Sequence, residues 1–149
     1  MDIHSINAQF SATPQPEIAD IPRIAAAGFK SMICARPDGE TPDQPTAAET
    51  EQAAKKAGLN FYWLPVVPKA ISDEQVAQFR TAFEALPKPV LGYCRTGNRA
   101  VTLWALAHAD RQPADALIKM AADAGFDIAG VRERLLASSA KPASTTQRA

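Results

Sequence analysis

Short apolar runs alternate along this chain with stretches of helical periodicity, and the alternation predicts strands and helices in turn. Residues 5–7 and 9–12 read as two short strands, ended by the turn-rich Thr13-Pro14-Gln15-Pro16. Residues 21–27 read as a helix, with Asp20 as cap, Pro22 in the first turn and Gly28 as the stop. Residues 29–35 (FKSMICA) form an apolar run expected to be a buried strand. The loop Arg36-Pro37-Asp38-Gly39-Glu40 and a Pro-rich surface stretch follow it. Thr46 and Glu49 make a capping box for a helix reaching Ala57 and closed by Gly58. Residues 60–67 (NFYWLPVV) are aromatic and β-branched, hence another strand. Ser72 and Gln75 make a second capping box, and Val76, Phe79, Phe83 and Leu86 then recur at helical spacing until Pro87 and Pro89. A short strand over residues 89–93 runs straight into Cys94. From Arg99 the positions Ala100, Leu103, Trp104 and Ala107 mark a helix, followed by two more over 113–124 and 128–137. Both tryptophans, Trp63 and Trp104, are expected in the core.

Strands alternating with helices imply an α/β fold with a mostly parallel central sheet flanked by helices. Ligands of such sheets sit at the carboxyl ends of the strands, which is where Cys94 falls. The length, 149 residues, suits one domain, set at residues 1–138. Residues 139–149 are small and polar without periodicity and are expected to be a disordered tail.

Charge narrows the functional classes. Lys plus Arg and Asp plus Glu balance at 16 each, so no global field draws the chain to nucleic acid or to a membrane surface. No apolar run approaches the ~18 residues of a membrane span. The first residues lack a basic region followed by an apolar stretch, so no secretory signal is expected and the cytoplasm is the default location. Two cysteines fit a reducing compartment. His4 and His108 have no partners at ligand spacing, so neither a metal site nor a cofactor is expected.

Attraction for anions must then be local, and Cys94-Arg95-Thr96-Gly97-Asn98-Arg99 is where the residues for it converge. A strand, a tight loop and a helix start point successive backbone N–H groups inward and add the positive end of the helix dipole. Gly97 gives the turn its freedom, while Arg95 and Arg99 bring fixed charge and forked donors. A thiol held there should have a lowered pKa, because the loop stabilises the thiolate. The bland alternative is a Cys94 that is merely a small buried hydrophobe.

The run Tyr93 to Ala100 resembles a rhodanese active-site loop. The whole chain is more similar to the bacterial family known as domain of unknown function 442, the beta-lactamase-hydrolase-like, phosphatase-like domain. The likeness rests on residues 11–16 (SATPQP), 27–30 (AGFK), 36–40 (RPDGE), 64–66 (LPV) and the Cys94 loop, in that order. It implies a dual-specificity-phosphatase-like fold and a phosphatase or sulfurtransferase activity. In tyrosine-phosphatase-like enzymes the anion-binding Arg stands six positions after the nucleophile. Here that position is Ala100, and Arg99 stands one earlier, as in rhodaneses. Such phosphatases also need a proton donor, usually an Asp, after the preceding strand. Residues 66–70 (VVPKA) offer none before Asp73, which reads as a first-turn helix residue.

These departures favour sulfur transfer through a Cys94 persulfide, with Arg95, Thr96, Gly97, Asn98, Arg99 and Ala100 cradling a small anionic sulfur donor. The alternatives are a phosphatase acting on a phosphoester through a phosphocysteine, and a non-catalytic anion-binding or interaction module. Asp38, with Glu40, is the candidate substitute acid, against a simple turn role for Pro37-Asp38-Gly39. Arg36 is open between adding charge to the site and tethering its loop. By resemblance to lipid phosphatases with a backdoor cysteine, Cys34 is a candidate resolving thiol for Cys94, against a buried core role. Relatives fused to a persulfide dioxygenase imply such an enzyme as a partner in trans.

Overall fold

The computed structural model describes residues 2–139. Five strands form one sheet in the order β1-β2-β5-β3-β4, with β1 His4–Ser5, β2 Phe10–Thr13, β3 Ser31–Cys34, β4 Asn60–Trp63 and β5 Val90–Tyr93. Only β1 runs antiparallel, hairpinned onto β2; the other pairings are parallel, as the alternating pattern requires. Among the described residues six α-helices accompany them: α1 Ile21–Ala26, α2 Ala47–Lys56, α3 Asp73–Ala85, α4 Asn98–His108, α5 Ala114–Asp123 and α6 Arg132–Ser139.

Side-chain alternation along the strands divides the core in two. Met32, Cys34, Leu91 and Tyr93 face α1 and α2, with Ile21, Ile24 and Ala54. Phe10, Ile33, Val90 and Cys94 face the larger cluster built from α3 to α6. At its centre Phe10 stacks on Trp104 at 5.9 Å, and Phe79 and Phe83 meet Phe10 edge-on. Helix α4 crosses β5 closely, and Gly92 is what permits it. A Cβ there would lie 2.8 Å from the Phe10 ring and 3.1 Å from the Ala100 methyl.

Both expected capping boxes are present. Thr46 accepts from the Glu49 N–H and Ser72 from the Gln75 N–H, each with the reciprocal bond. The differences lie at element ends. The first strand stops at Ser5 rather than Asn7, because the Asn7 side chain turns back to accept from the Gln9 and Phe10 amides. The strand expected over 60–67 ends at Trp63: the Leu64 N–H still donates to the Cys34 carbonyl at 2.8 Å, but the Val66 N–H bonds the Ala35 carbonyl, one residue out of the regular register. Trp63 is 42% exposed, an edge residue whose Nε1 donates to the Arg36 carbonyl, whereas Trp104 is fully buried as expected. His108 is half-buried. Its ring stacks on Trp104 at 4.9 Å and its Nδ1 lies 2.8 Å from the Trp104 carbonyl. The helix expected from residue 128 begins with a 3-10 turn over Ala129–Val131. The expected disordered tail, 139–149, lies outside the described residues apart from Ser139, which ends α6. Among the described residues no helix is long and apolar enough to cross a membrane, and no cluster of three or more His, Cys, Asp or Glu is arranged to hold a metal.

Candidate active site

Strand β5 delivers Cys94 to the carboxyl edge of the sheet, and the chain turns over its side chain into α4. Gly97 caps that helix with φ 98°, a left-handed conformation that the other residue types rarely adopt. In this turn the Gly97 N–H points inward and donates to the Cys94 sulfur at 3.1 Å. Of the successive inward N–H groups expected, only that of Gly97 reaches the sulfur among the described residues; the Asn98 N–H donates to Thr96 Oγ1 at 3.3 Å, and the helix start is in place.

Solvent access is not. Cys94 has no exposed surface. The loop lies over it, and the Phe126 ring lies over the loop, so close that a Cβ on Gly97 would be 2.8 Å from it. Asn98 fastens the same corner by donating from Nδ2 to the Asp127 carbonyl at 3.0 Å. Chemistry at this sulfur therefore requires the loop or the Phe126 corner to move. Iodoacetamide should label Cys94 at least ~10-fold more slowly than free cysteine, since only locally opened molecules react. Phe126→Leu, which shortens the cover, should raise that rate. Wild-type labelling as fast as free cysteine would show that the loop is not closed in solution.

Beside the loop opens a cavity of about 630 Å³. Arg95, Thr96, Asn98, Arg99 and Thr102 form one wall, Pro68, Lys69 and Ile71 a second, and Gly130, Val131 and Arg134 a third. The lining holds four cations and no carboxylate, so positive charge prevails along its walls.

Arg99 is held with particular care. Its Nη1 and Nη2 donate to the two Glu40 carboxylate oxygens at 2.7 and 2.9 Å, and Nη1 also donates to the Val66 carbonyl at 2.9 Å. Glu40 is in turn held by Arg36 Nε at 2.9 Å, and Arg36 Nη1 donates to the Gln15 side chain at 3.1 Å. The Gln15 backbone N–H closes the circuit by donating to the Arg95 carbonyl at 3.2 Å. Arg36, only 3% exposed, is thus a tether. The segments SATPQP, RPDGE and LPV, separate in sequence, meet here as the frame of the Cys94 loop. The Arg99 fork, and after it Arg36, hold the Glu40 carboxyl down at about 2. Glu40 is ionised at neutral pH and is no proton donor; it positions Arg99.

Asp38 is not at the loop either. It is exposed, and its Oδ1 accepts from the Ala47 amide at 2.8 Å, satisfying the first turn of α2. Asp38 does lie in a turn, but its side chain serves the start of α2 rather than its own turn backbone. Asp73 opens α3 and accepts from Arg134 at 3.0 Å. Cys34 pairs in register with Tyr93, so its side chain shares the Tyr93 face of the sheet, opposite to Cys94. Both thiols are free, and burial pushes the Cys34 thiol up, which keeps it protonated. A Cys34–Cys94 bridge would need the turn at Cys94 to rearrange. Ala100, the last loop position, is buried against β5 rather than offered to a ligand.

Residues 2–111 match the sequence model of the beta-lactamase hydrolase-like protein, phosphatase-like domain. The chain belongs to this family. A beta-lactamase hydrolase-like protein of Agrobacterium fabrum is 39% identical over 104 residues, which are 70% of this chain and 24% of that protein. The chain thus spans about a quarter of the curated relatives it matches. Among solved structures, a Neisseria meningitidis protein described as a candidate phosphatase is 36% identical, with a TM-score of 0.84 over 93% of this chain and 99% of its own. Tk-PTP, 16% identical, superposes with a TM-score of 0.69 over 93% of this chain and 97% of its own, a likeness of fold. The architecture is that of dual-specificity and tyrosine-phosphatase-like enzymes, and this is a phosphatase-like domain.

Proposed function

We propose that the chain is a cysteine-dependent sulfurtransferase. The observation that carries this is the loop: Arg99 stands five positions after Cys94, is locked onto Glu40, and the adjoining cavity offers no carboxylic acid. With the loop open, the Cys94 thiolate attacks the outer sulfur of a donor such as thiosulfate. A Cys94 S–S bond forms, the donor S–S bond breaks, and sulfite leaves with the bonding pair. Cyanide or an acceptor thiolate then takes the outer sulfur, and Cys94 returns as thiolate. The Gly97 N–H stands where it can stabilise the anionic sulfur in each half, and no leaving group needs a proton. Such chemistry suits the reducing cytoplasm, and a persulfide dioxygenase in trans would consume a thiol persulfide product.

Phosphate-ester hydrolysis is the second reading, and the family, the fold and the Neisseria likeness all speak for it; none of the relatives described above is named as a sulfurtransferase. There Cys94 would take the phosphoryl group, and water would release it as phosphate. The missing acid weighs against every substrate but those with good leaving groups. One preparation assayed with thiosulfate plus cyanide and with an aryl phosphate separates the two. We expect thiocyanate formation with a kcat/KM at least ~10-fold above aryl phosphate turnover, since the loop lacks one donor class only the second reaction needs. The reverse order would establish the phosphatase. If both substrates are inert and Phe126→Leu leaves labelling of Cys94 unchanged, a non-catalytic anion-binding module remains.

A further inference from the structure

We propose that the cavity beside the Cys94 loop selects organic substrates with a second anionic group, held by Lys69 at the end away from the reacting atom. The proposal deepens the Cys94 group-transfer reading and shares its site.

Size is the first argument. A cavity of about 630 Å³ falls in the range of organic ligands, whereas thiosulfate or phosphate would fill a small part of it. Charge is the second. Of the four cations in the lining, Arg99 is paired with Glu40, a carboxylate it shares with Arg36, and Arg134 is paired with the exposed Asp73. Arg95 and Lys69 have no ion-pair partner among the described residues. Arg95 belongs to the Cys94 loop and serves the reacting end. Lys69 comes from a different segment, so its charge is left for a different part of the ligand. Between these charges the wall includes Ile71 and Val131, which suit an aliphatic spacer.

Backbone conformation is the third argument. Lys69 has φ 63°, the one left-handed residue other than glycine among those described. It sits third in a turn closed by the Ala70 N–H on the Val67 carbonyl at 3.1 Å, with Pro68 second. This turn type calls for Gly at the third position. A lysine there carries a backbone cost that glycine would not, and the charge it brings to the cavity lining is what would offset that cost. The third wall, with Val131 and Arg134, comes from the segment that follows residues 2–111, the span matching the family model.

Calorimetric titration with unreactive probes tests this apart from turnover, so inert sulfur and phosphate assays would not count for or against it. The probes are the dicarboxylates from malonate to adipate, each against the monocarboxylate of equal length, and 3-phosphonopropionate to separate phosphate-like from carboxylate preference. At low ionic strength the best dianion should bind about tenfold more tightly than its monoanion, the order of one partly screened ion pair. Lys69→Gly should reduce that preference to under about threefold while leaving Tm unchanged or higher, because glycine relieves the turn. Lys119→Met, which removes an exposed lysine paired with Asp123, should leave the preference intact. A wild type that does not distinguish dianion from monoanion, or a folded Lys69→Gly protein that keeps the full preference, would overturn the proposal.

Discussion

Cys94→Ser leaves a folded protein that turns over neither thiosulfate nor an aryl phosphate, with a loss of at least ~10³-fold in kcat. Serine keeps the size and an acceptor for the Gly97 N–H, so the loop has every reason to keep its shape. What disappears is the nucleophile. An alcohol is un-ionised at neutral pH, and no amide cradle of this kind brings it near thiolate reactivity. An oxygen at this position also has no persulfide to form. Circular dichroism and a melting curve within a few degrees of wild type would tie the loss to chemistry rather than folding. Serine activity above about a tenth of wild type would mean that another group attacks, and with it the assignment of Cys94 would go.

Much of this fold is legible in the residues because local signals agree with one another. Thr46 with Glu49 and Ser72 with Gln75 announce helix starts whose geometry depends on four residues each. The run into Cys94 followed by Gly97 and a helical stripe announces strand, turn and helix, and all three are there. The strand ends are less legible. A shift of register at Val66 ends the ladder that residues 60–67 otherwise promise, and Asn7 ends another by accepting from the amides that follow it. The site divides the same way. Gly97 and Cys94 are placed by local sequence, but the partners of Arg99 are set by tertiary packing across 59 residues. The order SATPQP, RPDGE, LPV signals that those segments belong together without saying why. Glu40, which the sequence offers only as an acid, is the residue that explains it. The cover over Cys94 is invisible in the sequence for a related reason. Phe126 is one apolar residue between two helices, and nothing nearby in sequence says that its ring lies on Gly97. Likewise the faces of Cys34 and Cys94 follow from strand register, which pairs Cys34 with Tyr93 and not with its neighbour.

Glu40→Gln should lower kcat/KM by about 10- to 100-fold and make the protein's stability less sensitive to acid. The first effect follows from geometry. A carboxylate accepts both arms of the Arg99 fork and Arg36 besides, whereas an amide offers one acceptor oxygen and turns an N–H₂ toward a guanidinium. Arg99 then loses its fixed orientation, and the helix start it helps to anchor loosens above the sulfur. A rate lost through poor positioning is of this size rather than that of a missing nucleophile. Arg99→Lys should do no better, because an ammonium cannot span two carboxylate oxygens and the Val66 carbonyl together. The second effect has a definite sign. The folded carboxyl titrates at about 2, below the ~4.3 of an unfolded glutamate, so the folded state favours the ionised form. The stability this adds is fully present above about pH 4.5 and is lost as the pH falls toward 2. The glutamine variant, with no carboxyl to titrate at this position, has no such dependence. The Tm gap between wild type and variant should therefore be widest near pH ~6–7, about 5 °C, and should shrink steadily between about pH 4.5 and 2.5. A gap that stays constant through that window would show that Glu40 acts by packing alone, and the frame described around Arg99 would lose its electrostatic basis.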